Sequence, residues 1–372
     1  MKSALNLGSI FSIPLRLHYT WFIIFSLITV SLVVYLPVPG FYPLWQRIAF
    51  GLVTSLLFFA SIVIHELAHS FVAVRNNIPV KSITLFVFGG VSQITKEATK
   101  PRTELVMSVV GPLSSLILAS IFYGVSILLV WAGELLAADM VRWLAAINTL
   151  LAVFNLIPGF PLDGGRVFRS IIWMGTGNYL KATRIATLTG RIIGYLFIAG
   201  GVVAMFVTRE WVSGLWLAFI GWFLSNAATA SYRQALLHDT LSGLTARDVM
   251  IRDCPFISPR LSLRQLIQDY ILPGGHYCFV VAGDSELHGV ITIHNVKSVP
   301  QKHWDTISVE EVMVPKSELK IAYPGQAASN LLEQIEGGNI NQMPVVEDGR
   351  VVGMITRDSL TRFLRTRADL GM

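Results

Sequence analysis

Long apolar runs divide the first part of the 372-residue chain at nearly regular intervals. About 20 apolar residues in a helix are enough to cross the hydrocarbon core of a bilayer. The pattern therefore predicts six membrane-spanning helices. Their predicted ranges are 19–36, 48–64, 105–133, 143–162, 192–208 and 211–232.

A strand-like pattern occupies the segment between the second and third predicted spans. Alternation of side chains over residues 80–86 stops at Gly89 and Gly90 and then resumes. This predicts a β-hairpin over Ile78–Thr95 with its turn at the two glycines. A second short strand pair is predicted within Ser9–Leu17.

The last part of the chain contains an internal repeat with a period of 63–65 residues. The stretches that recur are Asp248-Val249-Met250 as Glu311-Val312-Met313 and Gly289-Val290-Ile291-Thr292 as Gly353-Met354-Ile355-Thr356. Each copy has the pattern of a strand, a helix, two short strands and a closing helix. Self-similarity at a fixed period indicates a repeated structural unit, so we predict two α/β modules, over 244–303 and 307–367.

Composition separates the two parts of the chain. Hydrophobic residues make up 53% of the sequence and charged residues 14%, against about 25% charged residues in soluble domains. Residues 1–236 carry 16 basic and 7 acidic side chains, whereas residues 237–372 carry 13 and 16. A membrane domain followed by a water-soluble one is therefore expected. The basic residues lie between apolar runs rather than in a patch, so no nucleic-acid partner is predicted.

The basic residues also predict the orientation in the membrane. Thirteen of the sixteen in residues 1–236 fall in loops on one side of the six predicted spans. Lys and Arg concentrate in cytoplasmic loops, so we expect a multi-pass protein of the cell membrane with both termini in the cytosol. The first apolar run lacks a small-residue cleavage pattern, and no signal peptide is expected.

Cys254 and Cys278 are the two cysteines of the chain. Both lie in the predicted cytosolic part, where thiols stay reduced. We therefore expect buried structural thiols and no disulfide. Their separation of 24 residues, without a CxxC motif, makes a zinc site built on both the weaker alternative.

Ionisable residues interrupt the second apolar run with the sequence His65-Glu66-Leu67-Ala68-His69. Residues four apart on a helix lie on the same face, so the two imidazoles can hold one zinc ion. Glu66 lies beside them and can take a proton from a zinc-bound water, as the general base of metalloproteases does. Ionisable groups inside a membrane each cost about 2.5–3.5 kcal/mol, and a bound metal compensates that cost. The alternative is a polar cluster satisfied without metal.

A third ligand is expected at the same membrane depth, because catalytic zinc commonly has three protein ligands. Asp163 is the one acidic residue in the stretch 154–166, at the end of the fourth predicted span. Prolines and glycines break the helix there, and irregular backbone is tolerated in a membrane where it lines a cavity or is buried in protein. Asp163 is therefore the candidate third ligand. The alternative is an N-cap for the amphipathic segment 164–174.

Residues 1–236 resemble the site-2 protease family of intramembrane zinc metalloproteases. The matching stretches are His65–His69, Phe88–Ser92, Gly111–Ser115 and Asn155–Arg166. The resemblance implies one Zn²⁺ ion per chain with His65, His69 and Asp163 as its ligands. It also implies that Glu66 is the catalytic base.

The same resemblance implies where a substrate binds. Asn155 would contact the substrate backbone or the developing oxyanion, and the hairpin with Gly89 and Gly90 would hold the substrate in extended form. The alternatives are an interhelical hydrogen bond for Asn155 and a purely structural hairpin. Expected substrates are single-span membrane proteins, such as anti-sigma factors or membrane-bound transcription factors.

The two repeat copies resemble CBS modules, which commonly pack as a pair, can support homodimers and can bind adenine nucleotides. Thr292, Thr356 and Asp358 are the candidate nucleotide contacts. The usual Asp three residues after the Thr is replaced by Asn295 in one copy and Ser359 in the other. A purely structural or dimerising role is therefore an open alternative.

The predicted fold is a multi-pass α-helical membrane protein with about six transmembrane helices and a membrane-associated β-hairpin, followed by a cytosolic α/β CBS pair. The predicted function is that of an intramembrane zinc endopeptidase, which cleaves peptide bonds in or near the transmembrane segments of other membrane proteins and is regulated by the CBS pair. The alternative from another class is an ion transporter or channel gated by the CBS pair, with the His/Glu/Asp cluster as its cation path. An inactive homologue that acts as a membrane chaperone is a weaker alternative.

Overall fold

The structure is a computed structural model in two compact units, Met1–Arg233 and Gln234–Met372. It describes residues 4–11, 13–35, 42–87, 89–94, 98–209, 211–241, 243–252, 254–274, 278–283, 286–337, 342–348 and 350–369. The first unit is mainly helical with one small sheet, and the second is mixed α/β.

Seven helices follow one another up to residue 240. They are α1 (Trp21–Tyr35), α2 (Leu44–Arg75), α3 (Pro101–Trp131), α4 (Leu135–Asn155), α5 (Asp163–Thr176), α6 (Tyr179–Val207) and α7 (Trp211–Thr240). Among the described residues, five of them are long and apolar enough to cross a membrane, namely α2, α3, α4, α6 and α7. Helix α1 is shorter, with 15 residues. The multi-pass helical fold is confirmed, whereas a sixth span over 19–36 stays a prediction.

Helix α4 shows why one predicted span was misplaced. The helix begins at Leu135, eight residues before the predicted start at 143. The prediction started too late because Asp139 and Arg142 interrupt the apolar run, although the helix accommodates them by pairing them with each other at 3.5 Å on its surface. The helix ends at Asn155, before the predicted end at 162, because the prolines that follow cannot continue a helix.

The helices of the first unit bury small and polar residues and expose large apolar ones. Ser61 and Ala152 are almost fully buried, whereas Val212 is 83% exposed. At the crossing of α6 and α7, a Cβ on Gly194 would lie 2.7 Å from a backbone oxygen of α7. Close packing through small residues with an apolar outer surface is typical of membrane helices.

A four-stranded sheet lies beside α2, with β1 (Ala4–Ile10), β2 (Ile13–His18), β3 (Val80–Phe86) and β4 (Gly89–Ile94) in that order. Both predicted strand pairs are present, but the predicted turn at Gly89 and Gly90 is wrong. Phe86 pairs with Gly89, so the turn lies before the glycines and both begin β4. Gly90 is required there by close packing, because a Cβ on it would lie 2.8 Å from Cγ of Glu66. Phe88 and Thr95 lie outside the described residues.

The second unit contains the remaining elements. Its strands are β5 (Phe256–Ile257), β6 (Cys278–Gly283), β7 (Glu286–Thr292), β8 (Val314–Pro315), β9 (Gln342–Glu347) and β10 (Arg350–Thr356). Its helices are α8 (Ala246–Val249), α9 (Leu263–Gln265), α10 (Leu272–Gly274), α11 (Ile293–Lys297), α12 (Val309–Val312), α13 (Ala328–Gly337) and α14 (Arg357–Asp369). Strands β5 to β8 form one sheet and β9 and β10 another.

Each repeat copy contributes a short extended segment to the sheet of the other copy. Ile251 of the first copy pairs with Met354 in β10 of the second, through backbone hydrogen bonds of 2.8 Å in both directions. Reciprocally, Val314 of the second copy pairs with Val290 in β7 of the first. The repeat seen in the sequence is therefore a pseudo-twofold arrangement of two interlocked modules.

Each copy also begins its first helix with the same capping arrangement. Asp248 accepts hydrogen bonds from the backbone N–H and the hydroxyl of Thr245, and Glu311 does the same with Ser308. These backbone and hydroxyl donors lower the pKa of both carboxyls below their usual values. The Asp-Val-Met and Glu-Val-Met stretches thus recur because their acidic residue closes a capping box.

The prediction of two free thiols is wrong, because Cys254 and Cys278 form a disulfide. Phe256 pairs with Val280 in the parallel strands β5 and β6. Each cysteine lies two residues before one of these partners, so the register places them opposite each other with a Cα–Cα distance of 5.7 Å. That distance suits a disulfide, and a separation of 24 residues in sequence gave no sign of it.

Candidate metal centre and active site

Helix α2 brings two imidazoles together inside the first unit. His65 and His69 are one helical turn apart and are 4% and 8% exposed. Their Nε2 atoms lie 3.2 Å from each other. Burial of two such groups requires hydrogen-bond or metal partners for both rings.

Asp163 completes the cluster from a different part of the chain. Its Oδ2 lies 3.2 Å from Nε2 of His65 and 3.2 Å from Nε2 of His69. The residue is the first of α5, and Leu162 occupies the N-cap position. The capping alternative for Asp163 is therefore wrong, because its side chain points to the histidines.

The far side of each ring has a partner of its own. Nδ1 of His65 lies 2.9 Å from the hydroxyl of Ser115, and Nδ1 of His69 donates to the backbone oxygen of Met107 at 2.6 Å. Both partners belong to α3. Contacts of this kind fix the ring orientation and leave Nε2 of each histidine for a metal ion.

Gly111 lets α3 approach the cluster. A Cβ on this residue would lie 2.8 Å from Nε2 of His65 and closer still to Nε2 of His69. Any larger residue would fill the space in front of both nitrogens. The Gly111–Ser115 stretch of the sequence therefore supplies both the room and one of the ring partners.

The donor set fits a zinc ion. His65, His69 and Asp163 each offer one ligand atom, and these three atoms lie within 4.8 Å of one another. Two imidazole nitrogens and one carboxylate oxygen are ligands that zinc prefers, and three protein ligands leave a position for water or substrate. His18, which bonds Thr20 at 2.9 Å, is not part of this cluster.

Glu66 lies next to His65 on α2 and contacts the sheet. Its Oε2 accepts a hydrogen bond of 2.5 Å from the hydroxyl of Ser92 in β4. The carboxylate is half-buried. The base predicted from the sequence is thus held between the metal cluster and the hairpin.

A buried ion pair fixes α5, which carries Asp163. Arg169 of α5 pairs with Glu104 of α3, and the two residues are 6% and 1% exposed. The guanidinium also donates to the hydroxyl of Tyr179 at 2.6 Å and lies over the ring of Phe160 at 4.8 Å. Helix α5 is therefore attached to α3 by a desolvated charge pair.

The other predicted site residues lie around this centre. Asn155 is the last residue of α4 and is half-buried, and Gly90 packs against Glu66.

Sequence reasoning missed Ser115, Ser92 and Asn148. Asn148 is 1% exposed and donates to Ser61 at 3.3 Å between α4 and α2. Its position inside an apolar run was the one signal that could have identified it.

In the second unit, the predicted nucleotide contacts lie at helix starts. Thr292 and Thr356 directly precede α11 and α14. The hydroxyl of Thr292 donates to the side chain of Asn295 at 2.8 Å, and the hydroxyl of Thr356 accepts from the backbone N–H of Ser359 at 3.0 Å. Asp358 is exposed in the first turn of α14. Thr292 belongs to the first module, whereas Thr356 and Asp358 belong to the second.

Comparison with known families gives two matches. The profile of peptidase family M50 matches residues 53–135 and 132–199. The profile of the CBS domain matches residues 246–301 and 309–366. Together they account for both units.

Curated relatives match nearly the whole chain. A Synechocystis sp. protein, named as a zinc metalloprotease, is 34% identical over 99% of this chain and 97% of its own length. The Mycobacterium tuberculosis protein Rip3, also named as a zinc metalloprotease, is 33% identical over 98% of this chain and 93% of its own. Among solved structures, the site-2 protease from Methanocaldococcus jannaschii is 27% identical, covers 62% of this chain and 95% of its own, and superposes with a TM-score of 0.42. The chain belongs to peptidase family M50, the site-2 protease family of membrane-embedded zinc metalloproteases, and carries a pair of CBS domains.

Proposed function

We propose that this intramembrane zinc protease uses His65, His69 and Asp163 as its metal ligands and Glu66 as its general base. The observation that carries the proposal is the convergence of these three ligand atoms within 4.8 Å, beside Glu66, in helices with an apolar outer surface. A zinc ion held there would polarise the scissile carbonyl and make the attacking water more acidic.

The chain's own residues supply the proton transfers. Glu66 takes a proton from the attacking water and then gives it to the leaving amine, so that one carboxylate serves both steps. The backbone oxygen of Met107 holds His69 in the tautomer protonated at Nδ1, and the hydroxyl of Ser115 fixes the orientation of the His65 ring, so that both residues present Nε2 to the metal. Burial of the cluster keeps bulk water away from it.

We propose that β4 binds the substrate in extended form. Among the described strands, β4 pairs with β3 on one side only. An open strand edge can pair with an unwound peptide and satisfy its backbone groups in apolar surroundings. Gly89 and Gly90 lack side chains that would block this approach, and Asn155 is the proposed contact for the substrate backbone.

The proposed substrates are single-span membrane proteins, of the anti-sigma factor or membrane-bound transcription factor type. An apolar outer surface on α2, α3, α4, α6 and α7 supports action within a lipid bilayer. The distribution of basic residues supports a place in the cell membrane with both termini in the cytosol.

We propose that the CBS pair of the second unit regulates the protease, through an adenine nucleotide or a second copy of the chain. Thr292, Thr356 and Asp358 are the proposed nucleotide contacts. Asn295 and Ser359 replace the usual Asp and are already bonded to the threonines. Any nucleotide must therefore bind through fewer polar groups than in modules that keep the Asp.

An ion transporter gated by the CBS pair is not favoured. A cation path through a membrane needs ionisable groups at several depths. In the part of the chain that the structure describes, the metal-ligating groups of the spans converge at one point, where their ligand atoms lie within 4.8 Å.

Replacement of Glu66 by Gln tests the catalytic assignment. We expect Glu66→Gln to abolish cleavage of single-span proteins while zinc content is retained, because the amide keeps the shape of the carboxylate but cannot accept the proton. The measurement compares membrane proteomes of cells that express wild type and variant, and looks for single-span proteins that accumulate with the variant.

The matched control is Glu134→Gln, which changes an exposed residue between α3 and α4. Cells that express this variant should have the same membrane proteome as cells that express wild type. Cleavage that persists in Glu66→Gln would contradict the role of Glu66 as the base, and zinc flux into vesicles that persists in the variant would favour the transporter.

A further inference from the structure

Ser92 joins β4 to the proposed base. Its hydroxyl donates to Oε2 of Glu66 at 2.5 Å, and it accepts a hydrogen bond of 3.2 Å from the hydroxyl of Ser70. Ser70 lies one helical turn after Glu66 on α2 and is fully buried. Ser70 donates to the oxygen of Ser92, so the single proton of Ser92 is available to Glu66, whose Oε2 at 2.5 Å is a nearer acceptor than its backbone oxygen at 3.4 Å.

A second contact joins the same strand to the same side chain. A Cβ on Gly90 would lie 2.8 Å from Cγ of Glu66. Residues 90 and 92 lie on the same face of β4, since side chains alternate along a strand. Two successive positions on this face of the strand, one through packing and one through a hydrogen bond, therefore restrict the Glu66 side chain.

We propose that Ser92 is a positioning residue, which holds the carboxylate of Glu66 where it can take the proton of the water that attacks a peptide paired with β4. The proposal rests on the proposed role of Glu66 as base and deepens it. A free Glu side chain samples many rotamers, and ordering it before reaction removes that entropic cost from the barrier. The hydrogen bond to one carboxylate oxygen leaves the other able to accept a proton.

This arrangement links substrate alignment to the base through one strand. The outer edge of β4 is the proposed pairing edge, and the face that carries Ser92 contacts Glu66. A peptide that pairs in register with β4 is thereby placed relative to the carboxylate without any further contact. Loss of the Ser92 hydroxyl should slow the chemical step more than it weakens substrate binding.

The test uses the full chain, purified with zinc and reconstituted in phosphatidylethanolamine and phosphatidylglycerol vesicles. The probe is a single apolar helix between two tags, chosen from a panel as one that wild type cleaves. We expect Ser92→Ala to lower kcat about tenfold or more, with KM and bound zinc within about twofold of wild type. Ser92→Thr keeps a hydroxyl and should restore most of kcat.

Two further variants separate positioning from a structural effect. Ser70→Ala should lower kcat by a smaller factor of about three, because Ser92 then loses its orienting donor but keeps its proton. Ser82→Ala is the matched control, since Ser82 is a buried serine of β3 that bonds Gln93 at 3.4 Å. Its kcat should equal that of wild type.

A kcat for Ser92→Ala within twofold of wild type would overturn the proposal. So would a loss that Ser92→Thr does not restore, or an equal loss in Ser82→Ala, because either result would assign Ser92 a structural role. Cleavage by Glu66→Gln would instead contradict the base assignment itself. An inactive Glu66→Gln with a fully active Ser92→Ala would contradict only the positioning role.

Discussion

The two histidines of the metal centre are held from behind by different kinds of partner. His69 is bonded to a backbone oxygen, which no substitution at position 107 removes, whereas His65 is bonded to the side chain of Ser115. The hydrogen bond to His65 can therefore be deleted without any change to the three ligands.

We expect Ser115→Ala to weaken zinc binding about tenfold to a hundredfold, because the His65 ring loses the contact that fixes its orientation. Competition with a chromogenic chelator measures the affinity of the purified full chain. Ser114→Ala is the matched control, since the Ser114 hydroxyl donates to the backbone of Gly111 within its own helix at 2.7 Å. Equal affinities for both variants would contradict the role of Ser115.

Spacing along a helix made the two ligands on α2 predictable, because residues four apart share a face whatever surrounds them. The partners Ser115 and Ser92 were not predictable in the same way. Ser114 and Ser115 are neighbours in the sequence, yet one bonds its own helix and the other reaches His65. Only the packing of α3 on α2 decides between these outcomes.

At the scale of elements, the position of α5 determines whether Asp163 reaches the histidines. The helix is attached to α3 through the pair Arg169 and Glu104, which is buried on both sides. Removal of one partner from a buried pair leaves an uncompensated charge and costs about 3–5 kcal/mol, whereas an apolar replacement of both is often neutral.

We therefore expect Arg169→Met to lower the unfolding midpoint of the detergent-solubilised chain and to reduce bound zinc, because α5 no longer holds Asp163 in place. The double variant Glu104→Met, Arg169→Met should recover much of both. Arg142→Met removes an exposed pair at 3.5 Å and should change stability by less than about 1 kcal/mol. A single variant at position 169 that behaves like this control would contradict the proposed attachment.

Element boundaries were the weaker part of the sequence prediction, for identifiable reasons. The charges at 139 and 142 conceal the start of α4, and the glycine pair predicts a turn, whereas Gly90 is needed for close packing against Glu66. A glycine is required by tight turns and by tight packing alike. The sequence alone does not separate these two requirements.

At the scale of the whole molecule, the abrupt change in charge density predicted two parts, and the structure divides at residues 233 and 234. The disulfide between Cys254 and Cys278 could not be predicted, because it depends on the register of β5 and β6 and not on the spacing of the cysteines. The predicted cytosolic location favoured reduced thiols instead of a disulfide.

The CBS pair makes a prediction at this scale. If it binds an adenine nucleotide, millimolar ATP or AMP should raise the unfolding midpoint of the full chain by about 2 °C or more. Asp358→Asn should reduce this shift, and Asp269→Asn, at another exposed aspartate of the second unit, should not. The absence of any shift at millimolar nucleotide would leave dimerisation or a structural role for the pair.

The exchange of short extended segments between the two modules limits how the chain can be shortened. The sheet of the first module ends with β8 (Val314–Pro315), which comes from the second module and pairs with β7. Met354 in β10 of the second module pairs in turn with Ile251 of the first. A truncation between the modules would expose two unpaired strand edges, which are templates for aggregation. The two modules are therefore expected to be gained and lost together in evolution, as a single unit of inheritance.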